Sequence, residues 1–425
     1  MPAHHATNRH DRLRFGGRIV SRDMADDDPH GWVRLLETVR AAKLPMECLC
    51  RVDMKPLPMF VARHGNTMVI KRAPGSGLDH HPMCPSHGHS AGDGRTQVAH
   101  PAIETLAHGG LRVSLDVPLT RLISAEAKSK SPRPSDAATS TPRSSRSRMS
   151  LLGLLEVLWE RSGLHKWQSG QATRRLGAVY RKLQEELGDM QIGPIPADEI
   201  VYVPDTHLDD DAMARKVRDV HARLDSLSAR CKQGEAPVLL VVGEVRSLFD
   251  AKYNSGLRVK GLPDAMTLWM SAEVAGEILR RFDAPVRRFM DGGVHGTRLL
   301  TIASVTRTRN GSLHASACDM LETTADFIPV DSLHEVRLAN ALVHDDRSFT
   351  KPLRHDQSQA VHPDFVLHDA KLGEIAMEVW GMDSPQYRQR KNEKIAHYSG
   401  RGLRLWQWNP LSDKVIPTLP AKKSQ

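Results

Sequence analysis

The sequence predicts a multidomain α+β protein. At 425 residues the chain is too long for one ordinary core, so two or three domains are expected. A Ser/Pro/Lys/Arg-rich stretch at 124–150 separates two regions that both carry strand and helix signals. The last stretch reads as helix, three strands, helix and strand. The expected division is an N-terminal segment (1–40), a small β module suited to zinc (41–123), a flexible basic linker (124–150), a central α+β domain (151–330) and a C-terminal αβββαβ domain (331–425).

Composition is globular, with 40 % hydrophobic and 26 % charged residues. The formal net charge of +9 favours an acidic partner such as nucleic acid, although many basic surfaces have none. No apolar run approaches the roughly 20 residues of a membrane span. The best is Val238-Leu239-Leu240-Val241-Val242. The N-terminus, with His4, His5, Arg9, His10 and Arg12, has no apolar signal core. A cytoplasmic chain without a membrane partner is expected. Five cysteines, an odd number in so long a chain, argue against a disulfide framework.

The first 40 residues are polar, then helical in pattern from Trp32 to Ala42. In the β module, Cys48-Leu49-Cys50 precedes two β-like runs, Met59–Ala62 and Met68–Lys71. His64-Gly65-Asn66 makes the turn of a hairpin between them. A hairpin returns the chain to its start. It would bring the Cys-x-Cys pair beside the loop Asp79-His80-His81-Pro82-Met83-Cys84-Pro85-Ser86-His87-Gly88-His89. Cys48, Cys50, Cys84 and one of His80 or His81 form a thiolate/imidazole set suited to structural Zn²⁺. His81 is taken as the fourth ligand, with His87 and His89 as rivals. Closing the site would secure a core too small to be stable alone. The competing account is free cysteines in a small core under a solvated histidine loop.

The linker has charge enough to touch phosphate non-specifically, but such stretches are usually just solvated. From Ser150 an apolar stripe of Leu151, Leu154, Leu155 and Leu158 predicts a helix. Leu176, Val179, Tyr180, Leu183 and Leu187 predict another, with Arg174, Arg175, Arg181 and Lys182 nearby. A helix-turn-helix gives this pattern. So does any helical pair packed on a larger domain, which is the preferred reading. A long polar helix follows over about 209–231, its acidic start matched to the helix dipole. Pro237–Val245 and Thr267–Met270 read as strands, and Ser271 caps a helix carrying Val274, Ile278 and Phe282. Leu299–Thr306 and Leu313–Leu321 flank Asn310-Gly311, a strong hairpin signal, and Cys318 is read as core. No phosphate loop, dinucleotide fingerprint or nucleophile elbow occurs in this region.

The C-terminal order is a helix Leu333–Val343 capped by Ser332, a strand Ser348–Leu353, a hairpin of Asp364–Leu367 with Glu374–Trp380, a helix from Pro385 to Gly400, and a strand Leu403–Trp408. Asp364 opens one apolar strand and Glu378 sits inside the next, between Met377 and Val379. A carboxylate in such a place needs a metal or a cation. Tyr387, Lys391, Lys394, Ile395 and Tyr398 share one helix face, which would aim Lys391 or Lys394 at the two carboxylates. Two hard-oxygen ligands and an ammonium are what a divalent ion needs to hydrolyse a phosphodiester. Arg388, Arg390 and Arg401 would line the rim. Blander accounts exist. Ser332-x-x-Glu335 is also a capping box, Asp364 after Pro363 also suits a turn, and the lysines also suit a solvated face.

The order and residues resemble the PD-(D/E)xK nuclease superfamily, through Glu335 on the first helix, Pro363-Asp364 at a strand start and Glu378 in the next strand. The resemblance covers about residues 331–410 and implies a restriction-endonuclease-like fold. It implies Asp364 and Glu378 as ligands of Mg²⁺ or Mn²⁺, with the Val379 carbonyl as a third. Lys391 or Lys394 would meet the phosphate, and Glu335 would orient the site. The chain departs from the pattern two residues after Glu378, where Trp380 replaces the superfamily's lysine. Some members supply that lysine from the following helix. The whole chain also resembles an uncharacterised bacterial family of the DUF1173 type, associated with plasmids and integrated mobile elements. Cys48-x-Cys50, His81-Pro82-Met83-Cys84, Pro329-Val330-Asp331-Ser332, Lys351-Pro352-Leu353 and Glu378-Val379-Trp380-Gly381-Met382 carry that resemblance. Together they imply a metal-dependent nuclease acting on DNA, with mobile-element or conjugation proteins as partners. The alternatives are a non-catalytic nucleic-acid or protein-binding adaptor, or a central domain that binds a partner without nucleic acid.

Overall fold

The computed structural model describes residues 9–51, 54–64, 67–73, 76–81, 84–86, 102–106, 109–122, 148–292, 296–353 and 361–423. The expected linker falls largely outside them. Its last residues do not. Met149 is buried and bridges to Leu115, and Ser150 caps the next helix by accepting from the Gly153 amide.

The N-terminal sheet has five antiparallel strands in the order Arg18–Ser21, Arg12–Phe15, Met46–Cys48, Leu57–His64, Thr67–Arg72. The predicted hairpin is the last pair. The first two strands lie in the stretch expected to be a loose lead-in. Gly16 and Gly17, at φ +51° and +100°, form the tight turn between them, a conformation that suits glycine and matches strand twist. Helix Pro29–Ala41 covers the sheet with Trp32, Leu36 and Val39.

The sequence 102–122 was expected to belong with this module, but it pairs with later strands. Leu111–Val113 lies parallel to Met190–Ile192, and Thr120–Leu122 pairs with Glu235–Pro237. The helices Leu151–Arg161 and Leu176–Leu187 bury their apolar faces in the central core. Residues 162–175 separate them and include the strand Lys166–Trp167, so the short turn of a helix-turn-helix is missing.

Behind this pair five strands close into a barrel. They are Leu239–Asp250, Ser255–Val259, Leu268–Met270, Thr297–Arg307 and Leu313–Thr324. The first pairs with the second and the second with the third, both antiparallel. The third lies parallel to the fifth, the fifth pairs antiparallel with the fourth, and the fourth returns to the first. Helix Ala272–Met290 connects the third strand to the fourth. The predicted strands and the Asn310-Gly311 hairpin belong to this barrel, and Cys318 is buried in its wall.

The C-terminal sheet runs Arg404–Trp408, Ile375–Val379, Phe365–Leu367, Phe349–Thr350, Lys166–Trp167. Its first two strands are parallel, joined by helix Pro385–Gly400. Helix Leu333–His344 packs Val336, Leu338, Ala339 and Leu342 into a core with Trp167, Phe349, Phe365, Met377 and Trp408. The predicted element order is present, but the fifth strand comes from the central region. No helix among the described residues is long and apolar enough to cross a membrane.

Candidate metal centre and candidate active site

Cys48 ends a strand, Cys50 follows two residues later, His80 leaves the turn Gly77–Asp79, and Cys84 lies four residues beyond it. All four are buried. Cys48 Sγ lies 3.5 Å from Cys84 Sγ, and His80 Nδ1 lies 3.5 Å from both Cys50 Sγ and Cys84 Sγ. All four ligand atoms lie within 4.8 Å of one another. A tetrahedral zinc site with bonds of about 2.0–2.3 Å has ligand edges of about 3.5 Å, so this set fits the ion. The amides of His81 and Ser86 donate to Cys50 Sγ and Cys84 Sγ at 3.3 and 3.4 Å, which favours thiolates. Bonds from Cys50 and Cys84 hold the Cys48 thiol far below its ordinary range, while burial pushes Cys84 up. Bound as thiolates, the three sulfurs would share one cation. Buried Arg22 supplies part of the positive field and donates to Ser86 Oγ at 2.6 Å.

The histidine of the cluster is His80, not His81. The chain leaves the turn with the His80 ring facing the sulfurs. His81 instead stacks on His10 with ring centres 3.6 Å apart. His87 and His89 lie outside the described residues.

The second constellation is on the C-terminal sheet. Phe365 pairs with Met377, so Asp364 stands opposite Glu378, one step along the antiparallel register. Glu378 is 1 % exposed. Lys394 Nζ donates to both its oxygens, at 2.8 and 2.9 Å, and to the His362 carbonyl at 2.8 Å. Tyr398 donates its hydroxyl to Glu378 Oε1 at 2.5 Å. Asp364 Oδ2 accepts from the Val379 amide at 2.8 Å. Burial raises the proton affinity of both carboxyls, and Asp364 is raised further by the Glu378 charge. Lys391 does not join them; its ammonium lies 5.1 Å from the Trp380 ring centre. The Val379 carbonyl accepts from Tyr387 at 3.2 Å. Arg388, Arg390 and Arg401 are exposed, and Arg388 is 3.5 Å from Asp383.

Glu335 is buried and feels the Asp364 charge. It returns the cap by accepting from the Asp331 amide at 3.0 Å. Lys351, buried and unremarked as a site residue in the sequence, donates to Glu335 at 2.7 Å and to Asp331 at 3.1 Å. Burial lifts the Glu335 carboxyl to about 7, against the pull of Lys351. Among the described residues the Cys/His set is the one group of three or more ligand atoms this close, so Glu335 does not gather with Asp364 and Glu378. Tyr398 was legible as an inward residue, but nothing in its spacing marked it as a partner of Glu378. Lys351 had one signal, a lysine within an expected strand in a module with three candidate carboxylates.

A family model described as "Protein of unknown function (DUF1173)" matches residues 18–411. This chain belongs to the DUF1173 family. The matched span holds the Cys/His cluster, the barrel and the Asp364/Glu378/Lys394 site of the DUF1173 chain. No curated protein matches the chain.

Proposed function

We propose that this DUF1173 chain is a metal-dependent nuclease acting on DNA phosphodiesters, with a degenerate PD-(D/E)xK motif whose lysine is Lys394. The observation that carries the reading is the buried Glu378 carboxylate, facing Asp364 across the strands and gripped by Lys394 from the adjoining helix. The αβββαβ order on one sheet supports it, as does the net charge of +9.

Asp364 and Glu378 fit a hard divalent ion. Both are carboxylates, and their mutual repulsion is what such an ion relieves. Bound there, Mg²⁺ or Mn²⁺ would supply Lewis acidity and an activated water. Tyr398 holds Glu378 Oε1 in place. The Val379 amide fixes Asp364. Lys394 is poised to meet negative charge developing on a phosphoryl oxygen. Lys351, paired with Glu335, also favours the ionised form of Asp364. The Cys48/Cys50/His80/Cys84 set holds Zn²⁺ as a structural ion.

The test is cleavage of supercoiled and branched DNA with Mg²⁺ or Mn²⁺. Asp364→Asn and Glu378→Gln should abolish cleavage while the chain keeps its zinc and its circular dichroism. Unchanged cleavage in both variants would exclude this site. One observation favours a second reading. Both Glu378 oxygens already have partners in Lys394 and Tyr398, so the carboxylate is satisfied without a metal ion. On that reading the domain is an inert adaptor, and the protein binds DNA in a salt-sensitive way with no metal-dependent turnover.

A further inference from the structure

The barrel carries an aromatic patch that the hydrolytic reading does not use. Phe249 pairs with Gly256, Gly256 with Trp269, and Trp269 with His314, so the four form one row across four strands. Their neighbours Leu248, Leu257, Leu268 and Leu313 pack into the core, while Phe249 and Trp269 do not. The row therefore faces outward. A Cβ on Gly256 would sit 2.4 Å from Phe249 Cζ, so the Phe249 ring lies down over the glycine. It meets Trp269 edge-on with ring centres 5.9 Å apart. The Arg258 guanidinium lies 4.8 Å from the Phe249 ring centre. Two turns adjoin the row, one just after Phe249 and the other just before Leu313. Residues 251–254 hold Lys252 and Tyr253, the latter 79 % exposed with the Lys252 ammonium 5.0 Å from its ring centre. Residues 308–312 hold exposed Arg309.

The charge is basic. Arg246, Lys252, Arg258 and Arg309 face Asp250 and Asp264, and Asp264 is shared between Arg246 and Arg258. Partly exposed aromatic rings among cations suit a ligand with flat faces and a phosphate backbone. The topology agrees. A five-stranded barrel whose third strand lies parallel to the fifth, with a helix between strands three and four, has the connectivity of the oligonucleotide/oligosaccharide-binding barrel. In that fold ligands use the face of strands two and three and the loops after strands one and four, which here are the patch and its two turns. Fold alone does not set function, and here the rings and cations carry the argument.

We infer that this face of the barrel binds single-stranded nucleic acid, with bases stacked on Phe249, Trp269 and Tyr253 and phosphates on Arg258, Lys252 and Arg309. The proposal is independent of the nuclease reading. The test is fluorescence anisotropy with labelled oligo(dT) and oligo(rU) of about 16 nucleotides, spanning one such barrel. The full-length Glu378→Gln protein is used without added divalent ion, so cleavage plays no part. Binding of either oligomer is expected, weakening with salt, and the tighter of the two identifies DNA or RNA. Phe249→Ala and Trp269→Ala should each weaken it by about tenfold. Arg258→Glu reads the same face without removing a ring, should an aromatic variant fold poorly. A duplex of equal length should bind more weakly and respond less to the aromatic changes. No binding of either oligomer, or full affinity in all three variants, overturns the proposal.

Discussion

Glu378 shows what one buried charge demands of its surroundings. Its strand neighbours are apolar, so Lys394 and Tyr398 must meet the carboxylate from the next helix. Lys394→Met leaves it without a counter-charge and should destabilise the chain by about 3 kcal/mol in urea titrations, whether or not the protein is a nuclease. Little change would mean that Glu378 is protonated when folded. Glu335 gives the companion case. Burial raises its carboxyl from 4.5 to about 7 in the folded chain. The folded state therefore holds the proton more tightly than the unfolded state. That contribution is complete below about pH 4.5 and is lost as pH rises through 7. The stability of the native protein relative to Glu335→Gln should fall between those values. A flat difference across that range would remove Glu335 from the set of shifted groups.

At the scale of elements, capped and periodic segments were the legible ones. Ser332 announces its helix by accepting from the Glu335 amide while the Glu335 carboxylate accepts from the Asp331 amide, and Pro385 opens the later helix as expected. Ser271 accepts from the Val274 amide, so Ser271→Ala should lower stability by about 1 kcal/mol, measurable by thermal unfolding. The same helix runs on past Phe282 to Met290. It bends at Phe282, three residues before Pro285, and Val286 and Phe289 continue the apolar face. The N-terminal hairpin was missed because its Gly16-Gly17 turn joins strands of only four residues each. The barrel could not be read at all. Its closure depends on Leu239–Glu244 meeting residues about sixty positions later, and on a three-residue strand lying parallel to another some forty-five positions on. The candidate site was half legible. A glutamate between methionine and valine stands out in any sequence, whereas Lys351 and the choice of His80 over His81 depend on chain direction after a turn.

Across the whole molecule, the N-terminal sheet meets the central domain through buried ion pairs. Arg72, on the last strand of the N-terminal sheet, pairs with Glu186 of the central helix Leu176–Leu187 at 2.7 Å, and Arg161 approaches the same carboxylate at 3.2 Å. The module that carries the Cys/His cluster is therefore anchored to the central domain by charge. The purified protein should contain about one zinc per chain, and a strong chelator should lower its unfolding temperature until zinc is restored. Elemental analysis without zinc, together with an unmoved transition, would contradict the metal centre.

The strand Lys166–Trp167 has a practical consequence for dissecting the protein. It lines the edge of the C-terminal sheet, and Trp167 fills part of that core. Just beyond it, Ser169 and the Gly170 amide bind Asp346 at 2.6 and 2.5 Å, and Lys422 reaches the same aspartate at 3.0 Å. A fragment cut at residue 331 would lose this strand, leave Phe349–Thr350 as a bare edge and open a tryptophan-sized gap. Clipped material of that kind should clump in the test tube. Supplying 164–175 as a separate peptide, or fusing it ahead of the cut, should return it to solution.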